Sequence, residues 1–181
     1  MTDFAIDTGR LALRPWRADD AEPFLAMCND AAVMEFLGPP MTRAQVDEVI
    51  ERQNAIQRQL GHCFWAVQPH DSADMIGFCG LKPGPAGTPL DGRIEIGWRL
   101  AQAHWGKGFA KEAARAALDW GFANLPVRDI WAITVPGNVR SWGLMERLGM
   151  ERRDDMAFDH PALADNDPLK PHITYVKARP E

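Results

Sequence analysis

The run Trp105-Gly106-Lys107-Gly108-Phe109-Ala110 is the stretch whose residue types and spacing are best suited to chemistry. Two glycines let bare backbone come close to a ligand. Ahead of the run, Ile94, Ile96 and Trp98 alternate with Glu95, Gly97 and Arg99, the period-two pattern of a half-buried strand. Behind it, Ala110, Ala113, Ala114, Ala117, Leu118 and Gly121 recur at helical spacing, which makes a narrow apolar stripe. A strand that turns straight into a helix leaves the first helical N–H groups unpaired at the positive end of the dipole, and that is an anion site. Lys107 and Lys111 add positive charge beside it. The turn therefore reads as a phosphate cradle. A tight strand–helix turn with no ligand uses the same residues and stays open as the alternative, because short glycine motifs match often by chance.

The common nucleotide motifs do not fit. A Walker A loop ending at Gly106-Lys107 needs Gly where Ala101 stands and Ser or Thr where Gly108 stands. A dinucleotide fingerprint starting at Gly106 needs Gly or Ala where Lys111 stands. Cys28, Cys63 and Cys79 are odd in number and far apart, and the histidines at 62, 70, 104, 160 and 172 have no ligand spacing. We expect no metal, and reduced cysteines that act as small buried hydrophobes. The net charge of −5 argues against a nucleic-acid surface. No apolar run approaches membrane-spanning length, and MTDFAIDTGR has neither a basic start nor an apolar core, so a cytoplasmic protein is expected.

The elements that must position the turn can be read along the chain. Arg10 to Arg14 alternates as a first strand with Leu11 and Leu13 inward, and Pro15 ends it. Ala18 to Glu22 opens a helix with acids in its first turn, carrying Phe24, Leu25 and Cys28 on one side. Met34 to Leu37 reads as a short helical turn before Gly38-Pro39-Pro40. Thr42 and Gln45 form a capping box for a helix over Arg43 to Gln59, which Gly61 ends. Cys63 to Gln68 and Met75 to Leu81 are strands, the second with Gly77 and Gly80 as a bulge or close approach. Lys82 to Gly92 is a loop. Ile130 to Val135 is a strand ended by Pro136, and Asn138 to Leu148 a helix capped by Gly149. Gly149 to Met156 starts another strand, Ala157 to Lys170 is loop, and His172 to Ala178 is the last strand. Length and the absence of a linker imply one domain over 1–181.

Strand, turn and helix together resemble the acyl-CoA-binding segment of the GNAT-superfamily N-acetyltransferases, written Q/R-x-x-G-x-G/A. Gly108 and Ala110 match, while Trp105 stands where Gln or Arg is usual. That Trp, and the opening Arg10-Leu-Ala-Leu-Arg14-Pro15-Trp16 before an Asp-rich helix start, resemble the RimJ/RimL branch, the ribosomal-protein N-terminal acetyltransferases. A second stretch, Asn138-Val-Arg-Ser141 through Glu146-Arg147-Leu-Gly149-Met150, is similar to the family segment N-x-x-S-x-x-x-x-E-K-x-G-F, with Arg147 for Lys and Met150 for Phe. The resemblance covers nearly all of the chain.

It implies an α/β GNAT (acyl-CoA N-acyltransferase) fold, a mixed twisted sheet of about seven strands with helices on both faces. Two parallel strands, ending near Leu100 and Val135, would splay so that the pantetheine arm of acetyl-CoA pairs between them. By the resemblance Trp98, Arg99 and Leu100 would contact that arm. Trp105, Gly106, Lys107, Gly108, Phe109, Ala110 and Lys111 would hold the pyrophosphate, and Asn138 and Ser141 would meet the pantetheine and the sulfur. Ordinary helix caps explain Asn138 and Ser141 equally well on their own.

Amine acetylation needs a base, donors for the thioester oxygen and help for the leaving thiolate. Glu95 is the base candidate, with a solvated strand-face residue as its plain alternative. Ser141 or Tyr175 would serve the thiolate, although Tyr175 reads equally as a core ring. The resulting expectation is an acetyl-CoA-dependent N-acetyltransferase acting directly on a primary amine, either a protein N-terminus or a small molecule, as a monomer or homodimer. A catalytically idle CoA-binding module and another kind of phosphate-binding protein are the rivals.

Overall fold

A computed structural model describes residues 4–180, so the first three residues of the N-terminal stretch lie outside it. The strands are Ile6–Asp7 (β1), Leu11–Arg14 (β2), Phe64–Pro69 (β3), Gly77–Pro83 (β4), Ile94–Leu100 (β5), Asp129–Thr134 (β6), Glu151–Arg152 (β7), Phe158–Asp159 (β8) and Pro171–Ala178 (β9). Eight of them follow the order β1-β2-β3-β4-β5-β6-β9-β7, and β8 also pairs with β9. All pairs are antiparallel except β5 with β6. The sheet thus has more strands than expected. The additions β1 and β8 have two residues each, too few to show an alternation in sequence.

The helices are Ala21–Cys28 (α1), Ala31–Met34 (α2), Arg43–Leu60 (α3), Phe109–Asn124 (α4) and Val139–Arg147 (α5). Thr42 and Gln45 form the expected capping box and Gly61 ends α3 in the left-handed region. The short helix at 34–37 is displaced by a turn, because Asp30 accepts from the N–H groups of Ala32 and Val33 and so starts α2 at Ala31. The strand expected over 149–156 shrinks to β7, after which a 3₁₀ turn at Asp154–Met156 takes over. The stretch 157–170, expected to be loop throughout, contains β8.

Alternation along the strands feeds two cores. Trp65, Val67, Cys79, Leu81 and Ile96 meet α4, whose Ala113, Ala114 and Ala117 are fully buried. Small residues there let the helix lie close to the sheet, and a Cβ on Gly121 would collide with Leu81 and Ile130. On the other face Phe24, Met27 and Cys28 of α1 and Val46 of α3 pack with Trp16 and Ala66. Gly80 fits because its missing Cβ leaves room for the Cys63 carbonyl, the close approach its position suggested. Arg14 and Asp20 form a buried two-pronged ion pair at 2.8 Å that ties β2 to the start of α1. No helix of the described residues is long and apolar enough to cross a membrane.

Candidate active site

β5 is paired along its whole length with β4, from Ile94–Pro83 to Leu100–Gly77. Its other edge meets β6 at a single register pair, Glu95 with Trp131. Beyond that point the two parallel strands part, and one edge of β5 from Ile96 to Leu100 forms no ladder with β6. Backbone groups left this way need a partner. The gap opens into a cleft of about 780 Å³. β5 forms its floor, the α2 region with Val33 and Phe36 one wall, and the N-terminus of α5 the other.

At the far end of the cleft lies the glycine turn. Gly106 and Gly108 have φ of 73° and 81°, left-handed values that favour glycine. Gly108 is the N-cap of α4 and no side chain caps that helix. A Cβ built on Gly106 meets nothing within 4 Å, so the turn faces open space. Arg10 braces it from behind, with Nη1 donating to the Lys107 carbonyl at 3.0 Å and the guanidinium 4.6 Å from the Phe109 ring centre. Glu112 in turn holds Arg10 at 2.6 Å and accepts from Thr8. Burial pushes the Glu112 carboxyl up, but these hydrogen bonds prevail and hold it below the usual range.

Trp105 stands where the family motif has Gln or Arg, and the structure shows what it does. Its Nε1 donates to the Leu100 carbonyl at 2.8 Å, fixing the end of β5, and Arg140 lies 4.4 Å from its ring centre. Asn138 caps α5 by accepting from the Ser141 N–H at 3.2 Å. Both residues also line the cleft, so cap and cleft wall coincide.

Of the residues singled out in the sequence, Glu95, Trp98, Arg99, Leu100, Asn138 and Ser141 line the cleft. So do Trp105, Gly106, Gly108, Phe109, Ala110 and Lys111. Lys107 and Tyr175 do not. Lys107 offers its carbonyl to Arg10 instead. Tyr175 is buried in the core beneath α5, and its hydroxyl donates to Glu146 at 3.4 Å.

Glu95 is 9% exposed, so it is not a solvated strand residue. Lys82, directly opposite on β4, reaches its Oε2 at 2.6 Å. Burial pushes the Glu95 carboxyl above the usual range, against the opposing pull of Lys82 and His160. Neither could be assigned to Glu95 from the sequence, because the pairing depends on hairpin register and on the loop carrying His160. His104 also lines the cleft beside the turn, with Nδ1 buried and unpaired. Burial, then Lys107, pull its imidazole below the ordinary value, which favours the neutral ring.

The profile of the acetyltransferase (GNAT) domain matches residues 10–151. A Bacillus licheniformis protein described as uncharacterized N-acetyltransferase p20 is 30% identical over 147 residues, 80% of this chain and 81% of its own. An acetyltransferase from Agrobacterium tumefaciens, known from a crystal structure, is similar with a TM-score of 0.77 at 25% identity, over 98% of this chain and 95% of that one. RimL, a ribosomal L7/L12 alpha-N-protein acetyltransferase solved in complex with coenzyme A, shares the fold with a TM-score of 0.75 at 11% identity, over 97% and 98% of the two chains.

Proposed function

The chain belongs to the GNAT acetyltransferase family and is an acetyl-CoA-dependent acyltransferase, and from that premise we propose that it acetylates a primary amine directly in the β5–β6 cleft. The observation that carries this reading is the single β5–β6 register pair at Glu95, with an open strand edge running from it to the glycine turn. Acetyl-CoA supplies the activated thioester. This chain's residues fit it: the left-handed Gly106–Gly108 turn and the start of α4 offer N–H groups to a pyrophosphate, Lys111 adds charge, and the unpaired edge of β5 suits an extended arm.

Glu95 is the base in this scheme, taking a proton from the incoming ammonium so that the amine lone pair can attack. The C–N bond forms, the C–S bond breaks, and the departing thiolate takes a proton. Ser141 on the cleft wall is placed to help there; Tyr175 lies outside the lining and would need to act from the core. Acceptors of the RimJ/RimL kind, protein N-termini, and small amines both remain within this reading. The three cysteines are free and buried, with burial pushing Cys63 up to about 12, which suits a reducing cytoplasm. The test is acetyl-CoA turnover, read as free thiol, against N-terminal peptides and small amines, with coenzyme A binding measured separately by calorimetry. Binding without turnover of any amine would favour an idle CoA-binding module.

A further inference from the structure

Arg14 and Arg99 both sit largely inside the protein, and they differ in one respect. Arg14 has Asp20 on both terminal nitrogens. Arg99, on the face of β5 toward α1, is in no ion pair among the described residues, although it lines the cleft. Its Nη1 donates to Cys28 Sγ at 3.2 Å. Burial pushes the Cys28 thiol up even beside the guanidinium, so the sulfur stays a neutral thiol at pH 7 and does not cancel the charge. The rings of Phe78 and Phe24 lie 5.4 and 6.0 Å from the guanidinium carbon. They attract a cation through their faces but accept none of its N–H groups in plane. Nε is buried with no partner, and Nη2 has none among the described residues.

A buried charge is normally paired, and a buried donor normally finds an acceptor. Arg99 breaks both rules at once, in a cleft wall. With Nη1 held by Cys28, the nitrogens left over are Nε and Nη2, which share one edge of the guanidinium. Nε is shut off from the cleft by its burial, which leaves Nη2 to take a carboxylate oxygen. Arg99 and Glu95 lie on the same face of β5 with Gly97 between them. Gly97 carries no side chain, and a Cβ there would come within 2.6 Å of Phe64 Cζ. The Phe64 ring therefore covers Gly97, and with Phe78 it forms the apolar floor between the anionic and cationic residues.

We propose that Arg99 is the anion site for the acceptor: the amine this protein acetylates carries a carboxylate, as an amino acid or related amino-carboxylate does, seated on the unpartnered Nη2 while its amine points toward Glu95. The aromatic surroundings lower the local dielectric and strengthen such a pair. This deepens the acetyl-transfer reading and rests on it.

The test uses the full chain and matched acceptors, amino acids against their carboxamides, together with C-terminally amidated N-terminal peptides. Two quantities are read: kcat/KM by thiol release, and acceptor binding by calorimetry in the presence of coenzyme A, where no turnover occurs. The expected result is a wild-type preference for carboxylate over carboxamide of roughly ten-fold or more. That ratio should collapse toward one in Arg99→Gln and survive in part in Arg99→Lys. A wild-type ratio near one, a ratio unmoved by Arg99→Gln, or turnover confined to the amidated peptides would each overturn the proposal and leave the transferase reading intact. Failure of the wild type to bind coenzyme A would remove the transferase reading and this inference with it. The wild-type ratio needs no variant to fold.

Discussion

Glu95→Gln separates the carboxylate's basicity from its shape. The amide fills the same 9%-exposed position beside Lys82 but cannot accept the amine proton. Loss of a positioned base costs roughly 10²- to 10⁴-fold in rate, and that is the fall expected in kcat/KM with coenzyme A affinity preserved. The substitution also strips Lys82 of its counter-charge. Breaking a fully buried pair costs about 3–5 kcal/mol, but the Lys82 side chain is 23% exposed and its ammonium can turn to water. A cost of about 1–3 kcal/mol is the discounted figure, and at about 2–4 °C per kcal/mol it lowers Tm by roughly 2–12 °C. The sign of the pH effect follows from the buried carboxyl. Burial outweighs Lys82 and His160 and keeps Glu95 protonated to a higher pH than an exposed glutamate. The active carboxylate form is therefore lost as pH falls through a value above the ordinary carboxylate range. Wild-type kcat/KM should show that acidic limb; Glu95→Gln should lack it and recover at high pH, where the amine arrives deprotonated. Thiol release across roughly pH 5 to 9 reads both. Near-wild-type kcat/KM at neutral pH in a folded variant would refute the reasoning.

Lys82→Met removes the nearest group favouring the Glu95 carboxylate, so the acidic limb of the kcat/KM profile should move to higher pH, and an unmoved limb would detach Lys82 from the base. Gly108→Val places a β-branched residue at φ 81° with its Cβ 3.4 Å from Arg10 Nη2; a left-handed conformation costs a non-glycine residue about 1–2 kcal/mol or more, and coenzyme A affinity should drop at least roughly ten-fold by calorimetry, whereas an unchanged Kd in folded protein counts against the cradle. Ser141→Ala should lower kcat with the coenzyme A Kd nearly unchanged; a silent Ser141→Ala beside an impaired Tyr175→Phe would move the acid role to Tyr175 despite its place in the core. Asp20→Ala leaves Arg14 buried and uncompensated, a loss of about 3–5 kcal/mol that thermal melts should register as roughly 6–20 °C.

Local signals and tertiary ones were unequally visible in the sequence. The turn at 106–110, the capping box at Thr42 and the stripe on α4 were legible because each is written within one or two turns of chain. The two-residue strands β1 and β8 were not, since no alternation fits in so short a span. Lys82 lies 13 residues from Glu95, and only the β4–β5 register puts them face to face. Tyr175 shows the same boundary from the other side: its strand was readable, but which face of β9 meets α5 depends on where that helix packs. Trp105 departed from the family motif by type, and its use of an indole N–H to hold the Leu100 carbonyl needed the turn's geometry to be seen.

The separation of the two halves of the site decides between its rival uses. Each splayed strand has a secure partner on its outer side, β4 along all of β5 and β9 along all of β6, so the opening does not depend on either strand being loose. Pro136 follows β6 and brings no N–H that would need pairing there. From Glu95 to Leu100 the floor runs five residue steps, roughly 16 Å, before the chain reaches the glycine turn. A free phosphate bound at the turn would leave Glu95, the open strand edge and the unpaired guanidinium of Arg99 without a use. A small amine bound near Glu95 would likewise leave the turn without one. An extended ligand with an anion at one end and a reactive group at the other engages the turn, the strand edge and Glu95 together, and an acceptor lying across the Phe64 ring engages Arg99. The distance along β5, more than any single residue, is what favours acyl transfer over simple phosphate binding.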